Sequence, residues 1–266
     1  MAEGIITSRK NPHARRARDV RDCREKTLVF VEGVRLCEEA IRAGVEFESA
    51  LFAPSLVEDE RGARLVAGLR EVCTRVLAVD ESVLESVSDT KSSQGVVAVA
   101  KRPQTGPDVI ERAGGTPLVV LMHAVNNPSN AGAMLRVAEA AGASAVISTR
   151  GSTDLMSPKS LRGSMGSAFR LPLWDGSTFE EALGWCRVRG IKTTSTEAEA
   201  EATHTEIDWT TPRAVIVGPE AGGLTQAEAR AADECVRIPM RAPVESLNVA
   251  VALGVILYEA ARQRGF

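Results

Sequence analysis

The 266-residue sequence predicts an α/β protein in two parts, and three observations carry that reading. Short apolar runs of strand length alternate with amphipathic segments of helical period along most of the chain. A stretch at 101–117 holds Pro103, Gly106, Pro107, Gly114, Gly115 and Pro117 with few apolar residues, which marks a linker. Beyond it, Leu118 opens a near-continuous apolar run of the kind buried on both faces of a parallel sheet. With 44% hydrophobic and 25% charged residues, the composition excludes collagen, coiled coil and wholesale disorder.

In the first part, a basic helix leads into a strand at 28–33, where Leu28 to Val31 are apolar and Gly33 ends the run. Residues 34–43 have apolar side chains at helical spacing and stop at Gly44. Strands follow at 49–53, 75–79 and 94–100, with a helix at 61–73 between the first two. The second part restarts with the strand 118–123, a helix near 131–141 stopped by Gly142, and a strand at 145–148. Further strands fall at 170–173, 191–195, 214–217 and 235–238. A helix at 247–262 closes the chain, with apolar residues on every face, so burial against this domain or a partner is expected. The domains are thus read as 1–102 and 117–266, joined by a linker at 103–116.

The charge is unevenly spread. Eight basic residues (Arg9, Lys10, Arg15, Arg16, Arg18, Arg21, Arg24, Lys26) face three acidic ones between positions 8 and 26. That segment carries +5, which leaves about −8 for the rest of a chain whose net charge is −3. It suits a polyanion contact, with Arg9, Lys10, Arg15, Arg16 and Arg18 as RNA-binding candidates, or equally a solvated, self-paired helix. Aromatic residues are only 4%, which argues against gripping single strands by base stacking. Five scattered cysteines without a Cys-x-x-Cys pair, and three histidines without ligand spacing, give no disulfide framework and no metal site. No secretory signal or membrane span is read, so a cytoplasmic setting is expected. The acidic stretch Glu197, Glu199, Glu201, Glu206 and Asp208 reads as a solvated loop without chemistry.

Three motifs concentrate polar side chains beside glycines. Asn-Pro-Ser-Asn-Ala-Gly-Ala-Met-Leu-Arg at 127–136 offers Asn130 as a helix N-cap and sets Arg136 deeper in the helix. Ile-Val-Gly-Pro-Glu-Ala-Gly-Gly-Leu-Thr at 216–225 runs a strand into a glycine-rich turn holding Glu220. Ile-Pro-Met-Arg-Ala-Pro-Val-Glu-Ser-Leu-Asn at 238–248 leads from a strand end into the closing helix, with Ser246 as a possible cap and Asn248 in the first turn. Each motif alone is compatible with an ordinary capped helix or tight turn, and the GxGxxG fingerprint of a dinucleotide site is absent.

In this order and spacing, the motifs resemble those of the SpoU/TrmH family of SPOUT RNA 2′-O-ribose methyltransferases. The resemblance spans roughly 116–262 and includes Pro-Lys-Ser-Leu-Arg-Gly-Ser-Met-Gly-Ser at 158–167, similar to a family loop. Departures are Ser129, where glycine is frequent, Pro219, where asparagine is frequent, and Ala250, where serine is frequent. The first part resembles the family's ribosomal-protein-like substrate-binding extension, chiefly through Phe30-Val31-Glu32-Gly33.

The resemblance implies a parallel-sheet domain with a deep trefoil knot, a homodimer, S-adenosylmethionine as cofactor and RNA, ribosomal before transfer RNA, as partner. It places Gly218, Ile238, Met240 and Leu247 at the cofactor and Asn130, Arg136, Glu220, Ser246 and Asn248 around the reacting centre. Arg136 is often described in such enzymes as a general base, yet a protonated guanidinium has no acceptor and a pKa above about 12. A cationic Arg136 that positions phosphate and stabilises a developing alkoxide is the alternative. Two other functions remain open at this level: an RNA-binding assembly factor without catalysis, and a methyltransferase acting on tRNA or on a base.

Overall fold

A computed structural model describes residues 4–112 and 114–265. The chain divides into two compact units. One holds the residues up to Pro103 together with Met156–Arg170; the other holds Gln104–Leu155 and the residues from Leu171 onward. The boundary at 103/104 falls beside the start of the linker expected from composition. The place of 156–170 in the first unit departs from the expected division, in which all residues from 117 onward form one domain.

In the first unit, α1 (Pro12–Arg21) starts where Asn11 accepts from the His13 amide and Pro12 supplies a preset φ at the first position. Ala14, Ala17 and Val20 are its buried side, against a core that includes Phe30, Leu51, Val83, Leu84, Val97 and Val99. The elements β1 (Leu28–Glu32), α2 (Val34–Arg42), β2 (Phe47–Phe52), α3 (Glu60–Val72), β3 (Val76–Ala78), α4 (Glu81–Val87) and β4 (Val96–Lys101) follow. They build a sheet of order β1-β4-β2-β3, antiparallel except for the β2–β3 pair. Glu32 is buried, but its carboxylate accepts from the Asp89 amide (3.1 Å) and the Thr90 hydroxyl (2.9 Å) and lies 3.6 Å from Arg162. The Val-Glu-Gly stretch therefore has a structural role: a buried carboxylate stays only if it is satisfied.

The second unit contains α5 (Pro107–Ile110), β5 (Leu118–Met122), α6 (Pro128–Ala140) and β6 (Ala145–Thr149). The intervening helices α7 (Pro158–Ser164) and α8 (Ser167–Arg170) are those that belong to the first unit. Then come β7 (Leu173–Ser177), α9 (Phe179–Val188), β8 (Lys192–Thr196), β9 (Ala202–Thr203), β10 (Arg213–Val217), α10 (Gln226–Ala231), β11 (Glu234–Arg237) and α11 (Val249–Gln263). Seven strands form one sheet, every pairing parallel, in the order β7-β6-β5-β10-β8-β11-β9. Every residue of β5 and β10 is buried, as expected for strands covered on both faces.

Four local expectations are corrected. The segment expected as a loop at 158–167 contains helix α7, capped by Ser157 and begun by Pro158. Arg170 ends α8, so the strand expected at 170–173 starts instead at Leu173. The N-cap of α6 is Asn127, whose side chain accepts from the Ser129 amide at 2.9 Å, and Asn130 lies inside the helix. The cap of α11 is Asn248, not Ser246. The closing helix is also two-sided: Leu253, Ile256, Leu257, Ala260 and Ala261 are buried, whereas Val251, Val255 and Tyr258 are 53%, 37% and 47% exposed.

Candidate active site

In an open parallel sheet, ligands bind at the carboxyl edge where successive connections depart in opposite directions. Here β5 continues to β6 on one side, while its other neighbour is β10. The loops leaving β8, β10 and β11 meet Asn130 of α6 at that edge and enclose a cavity of about 870 Å³, within the range of small-molecule sites. Asn130, Gly218, Glu220, Ile238, Met240, Ser246, Leu247 and Asn248 all line it. Eight of the nine catalytic and cofactor candidates are thus brought to one place. Arg136 is the exception: it is exposed on α6 and does not line the cavity.

A directed chain of hydrogen bonds joins the three motifs. Asn248 Oδ1 accepts from the Ala250 and Val251 amides, at 3.0 and 3.4 Å, as the cap of α11. Its amide nitrogen must then face outward, and it donates to Asn130 Oδ1 at 3.1 Å. Asn130 Nδ2 donates in turn to Glu220 Oε1 at 3.1 Å, and the Asn127 amide reaches the same oxygen at 3.3 Å. Every side-chain amide has its orientation set by the next, and the chain ends on a carboxylate that only accepts. The polar groups facing the cavity are therefore preorganised by the fold.

The glycine-rich turn owes its shape to backbone freedom and close approach. Gly222 and Gly223 have φ of +85° and +64°, where a side chain is strained. Gly218 has no such strain, but a Cβ there would lie 2.9 Å from the Leu224 amide nitrogen and 3.0 Å from the Leu224 side chain. The clash is with the loop itself; neither backbone strain nor contact with a ligand is needed to require glycine. Behind the turn, Thr225 and Glu228 form a capping box for α10. Glu228 lies 2.9 Å from His123 Nε2, and His123 Nδ1 lies 3.0 Å from Thr149 Oγ1. Bonds from the Thr225 amide and hydroxyl, with a smaller contribution from His123, hold the Glu228 carboxyl below its ordinary range.

Sequence reasoning misses one wall of the cavity. Thr196, Glu197, Ala198 and Glu199 line it, although the acidic stretch reads as a solvated loop. Glu245, from the third motif, lines it too. The signal that finds 196–199 is positional: they follow the carboxyl end of β8, which lies between β10 and β11.

In the first unit, the five basic candidates divide in two. Arg16 pairs with Glu48 (3.1 Å) and Glu25 (3.3 Å), and Arg18 donates to the Arg9 carbonyl (2.7 Å) and Ser86 Oγ (3.2 Å). Arg9, Lys10 and Arg15 are exposed, and their side chains have no hydrogen bond or ion pair among the described residues.

Residues 117–258 match the SpoU rRNA methylase family, and residues 30–106 match the RNA 2′-O ribose methyltransferase substrate-binding domain. The chain belongs to the SpoU rRNA methylase family. Among its relatives, the 23S rRNA (guanosine-2′-O-)-methyltransferase RlmB of a Burkholderia species is 35% identical over 71% of this chain and 78% of its own. The 23S rRNA (guanosine(2553)-2′-O)-methyltransferase RlmP of Bacillus subtilis is 31% identical over 88% and 89%. The crystal structure of the SpoU methyltransferase AviRb from Streptomyces viridochromogenes in complex with AdoMet covers 96% of this chain and 98% of its own at a TM-score of 0.86 and 29% identity. Membership makes the chain an S-adenosylmethionine-dependent RNA methyltransferase of SPOUT type.

The cavity fits that cofactor. Leu224, Val236, Ile238, Leu247 and Val249 give it apolar walls, and the turns at 218–224 and 238–248 bring backbone donors and acceptors to it. Among the described residues that line it, none is Lys, Arg or His, so nothing repels a sulfonium. Residues of the second unit alone compose this lining. No helix among the described residues is long and apolar enough to cross a membrane.

Proposed function

We propose that this enzyme methylates a ribose 2′-hydroxyl of ribosomal RNA in the cytoplasm, with residues 1–102 holding the RNA, 103–116 as linker and 117–266 carrying out the transfer. The observation that carries the reading is the hydrogen-bond chain from α11 through Asn248 and Asn130 to Glu220, on the rim of the cavity. When bound, S-adenosylmethionine supplies an electrophilic methyl group on a sulfonium. Gly218, Ile238, Met240 and Leu247 hold the cofactor, largely through backbone and apolar contact. Asn130, Glu220, Ser246 and Asn248 present fixed polar atoms that orient the ribose, since in-line attack needs the acceptor oxygen about 3 Å from the methyl carbon. Arg136 stays cationic, holds a substrate phosphate and stabilises the alkoxide that forms as the hydroxyl loses its proton.

The position of Arg136 outside the cavity of its own chain supports a homodimer in which one protomer's arginine serves its partner's site. The exposed stripe of Val251, Val255 and Tyr258, at positions i, i+4 and i+7 of α11, supports the same assembly, and a trefoil knot is proposed as the frame of its interface. Arg9, Lys10 and Arg15 are the better-placed phosphate contacts; Arg16 and Arg18 shape α1 by pairing within the unit.

The test is nuclease digestion and mass spectrometry of ribosomal RNA treated with the wild type and with Arg136→Ala. The wild type is expected to yield a 2′-O-methylnucleoside, and the variant about 10² less, with cofactor affinity retained. Methylation found on a base, or only on transfer RNA, refutes the proposal. An Arg136→Lys variant with the basic limb of its pH–rate profile shifted would restore the general-base reading.

A further inference from the structure

We infer that the cavity distinguishes the charged methyl donor from the neutral by-product through a wall of carboxylates, with Glu197 and Glu199 as specificity-determining residues. The inference rests on the reading that this cavity binds S-adenosylmethionine. Glu197, Glu199, Glu220 and Glu245 all line it. Glu220 is engaged by Asn130 and the Asn127 amide. The side chains of Glu197 and Glu199 are exposed and make no hydrogen bond or ion pair among the described residues, so no direct cationic partner within reach occupies them.

Their placement is not that of a free loop. The Glu197 amide donates to the Val236 carbonyl at 3.0 Å, and the Thr196 hydroxyl donates to the Ile216 carbonyl at 3.4 Å. Ala200, just beyond, is buried. The backbone bearing these two carboxylates is thus stitched to β10 and β11, whose following loops form the other walls of the cavity.

Charge decides what such a wall selects. S-adenosylmethionine carries a sulfonium, an ammonium and a carboxylate, for a net charge of +1. On transfer, the methyl carbon bonds to the ribose oxygen, the carbon–sulfur bond pair stays on sulfur and the ribose proton leaves to solvent. The product, S-adenosylhomocysteine, keeps the ammonium and carboxylate and is net neutral. A negative wall with no cation among the described residues of its lining holds the donor more strongly and loses part of its grip once the sulfonium is gone. The same two carboxylates therefore favour loading before transfer and release after it.

The experiment is calorimetric titration of the full chain with each ligand, for the wild type and a Glu197→Gln/Glu199→Gln variant, with a parallel salt series on the wild type. The variant is expected to lose about tenfold in donor affinity and less than about twofold in product affinity. Added salt should weaken wild-type donor binding while leaving product binding nearly flat. Equal changes for both ligands, no change, or a salt-independent donor-to-product ratio would overturn the inference. The salt series decides even if the variant fails to fold. Wild-type protein that binds neither ligand would instead sink the assignment of the cavity itself.

Discussion

Replacement of Asn248 by alanine probes the coupling between the fold and the site. Asn248 does two jobs: its carbonyl oxygen caps α11 through the Ala250 and Val251 amides, and its nitrogen donates to Asn130. Loss of an N-cap costs about 1 kcal/mol. Loss of an exposed, neutral hydrogen bond adds roughly 0.5 kcal/mol, at the low end of the usual range. The sum, about 1.5 kcal/mol, corresponds to a fall in Tm of about 3–6 °C for a unit of this size. Asn248→Ser keeps an oxygen that can cap but cannot reach Asn130, so its fall should be only about 1–2 °C. Differential scanning calorimetry gives both shifts, and titration with S-adenosylmethionine gives the consequence at the cavity. Both variants remove the donor to Asn130 Oδ1 and so loosen the hydrogen-bonded wall of the cavity, which should weaken cofactor binding in both, whereas only alanine should destabilise strongly. Equal Tm shifts would refute the cap assignment; unchanged cofactor affinity in both would refute the view that the hydrogen-bond chain preorganises the site.

Gly218→Val should abolish cofactor binding in calorimetry while leaving the circular dichroism of the unit near native, because its side chain collides with Leu224 and displaces one cavity wall. Glu259, bonded to Arg262 and Gln263, has its carboxyl pulled down to about 2 from an ordinary 4.5. A depressed folded-state value stabilises above the unfolded value and loses that contribution as pH falls from about 4.5 toward 2, so Glu259→Gln should flatten the acid limb of a Tm-against-pH curve. Neutralising Arg9, Lys10 and Arg15 should lower the slope of log K for RNA against log salt by about 0.7–0.9 for each phosphate that these side chains no longer neutralise. An unchanged slope in a filter-binding assay would mean that these charges are only solvated.

The strands most legible in the sequence are those where burial leaves no room for polar residues. β5 and residues 214–217 of β10 read correctly because both of their faces are covered, so these apolar runs are unbroken; Arg213, which opens β10, is buried only because the Asp208 carbonyl and Glu234 satisfy it. β7 does not, because Asp175 and Gly176 interrupt it after Trp174, and the apolar residues just before Leu173 draw the expected strand too early. Short helices with weak periodicity escape for a related reason: Pro-Lys-Ser-Leu-Arg-Gly-Ser has one large apolar residue in seven, and its helical character comes from Ser157 as cap and Pro158 at the first position. The misassigned caps follow the same logic. Pro128 cannot donate an amide and sits best at the first helical position, which fixes Asn127 as the cap and leaves Asn130 free to bond to Glu220.

The motif residues of the site are legible because each motif is contiguous in sequence and reaches the cavity as a unit. Glu197 and Glu199 belong to no such motif, and what brings them to the cavity is strand order. β8 follows β7 in sequence, yet it lies on the far side of β10, so the residues after β8 arrive beside the glycine-rich turn only through that crossover. Periodicity reports which face of an element is buried, but it carries no information about which strand lies next to which. Arg136 illustrates the converse. Its motif delivers Asn130 to the cavity, but the step of six residues to Arg136 turns the arginine about 240° around α6, at roughly 100° per residue, and carries it about 9 Å along the axis. One contiguous motif thus places two polar groups on different faces of one helix, and the proposed homodimer is what would give the second of them a site to serve.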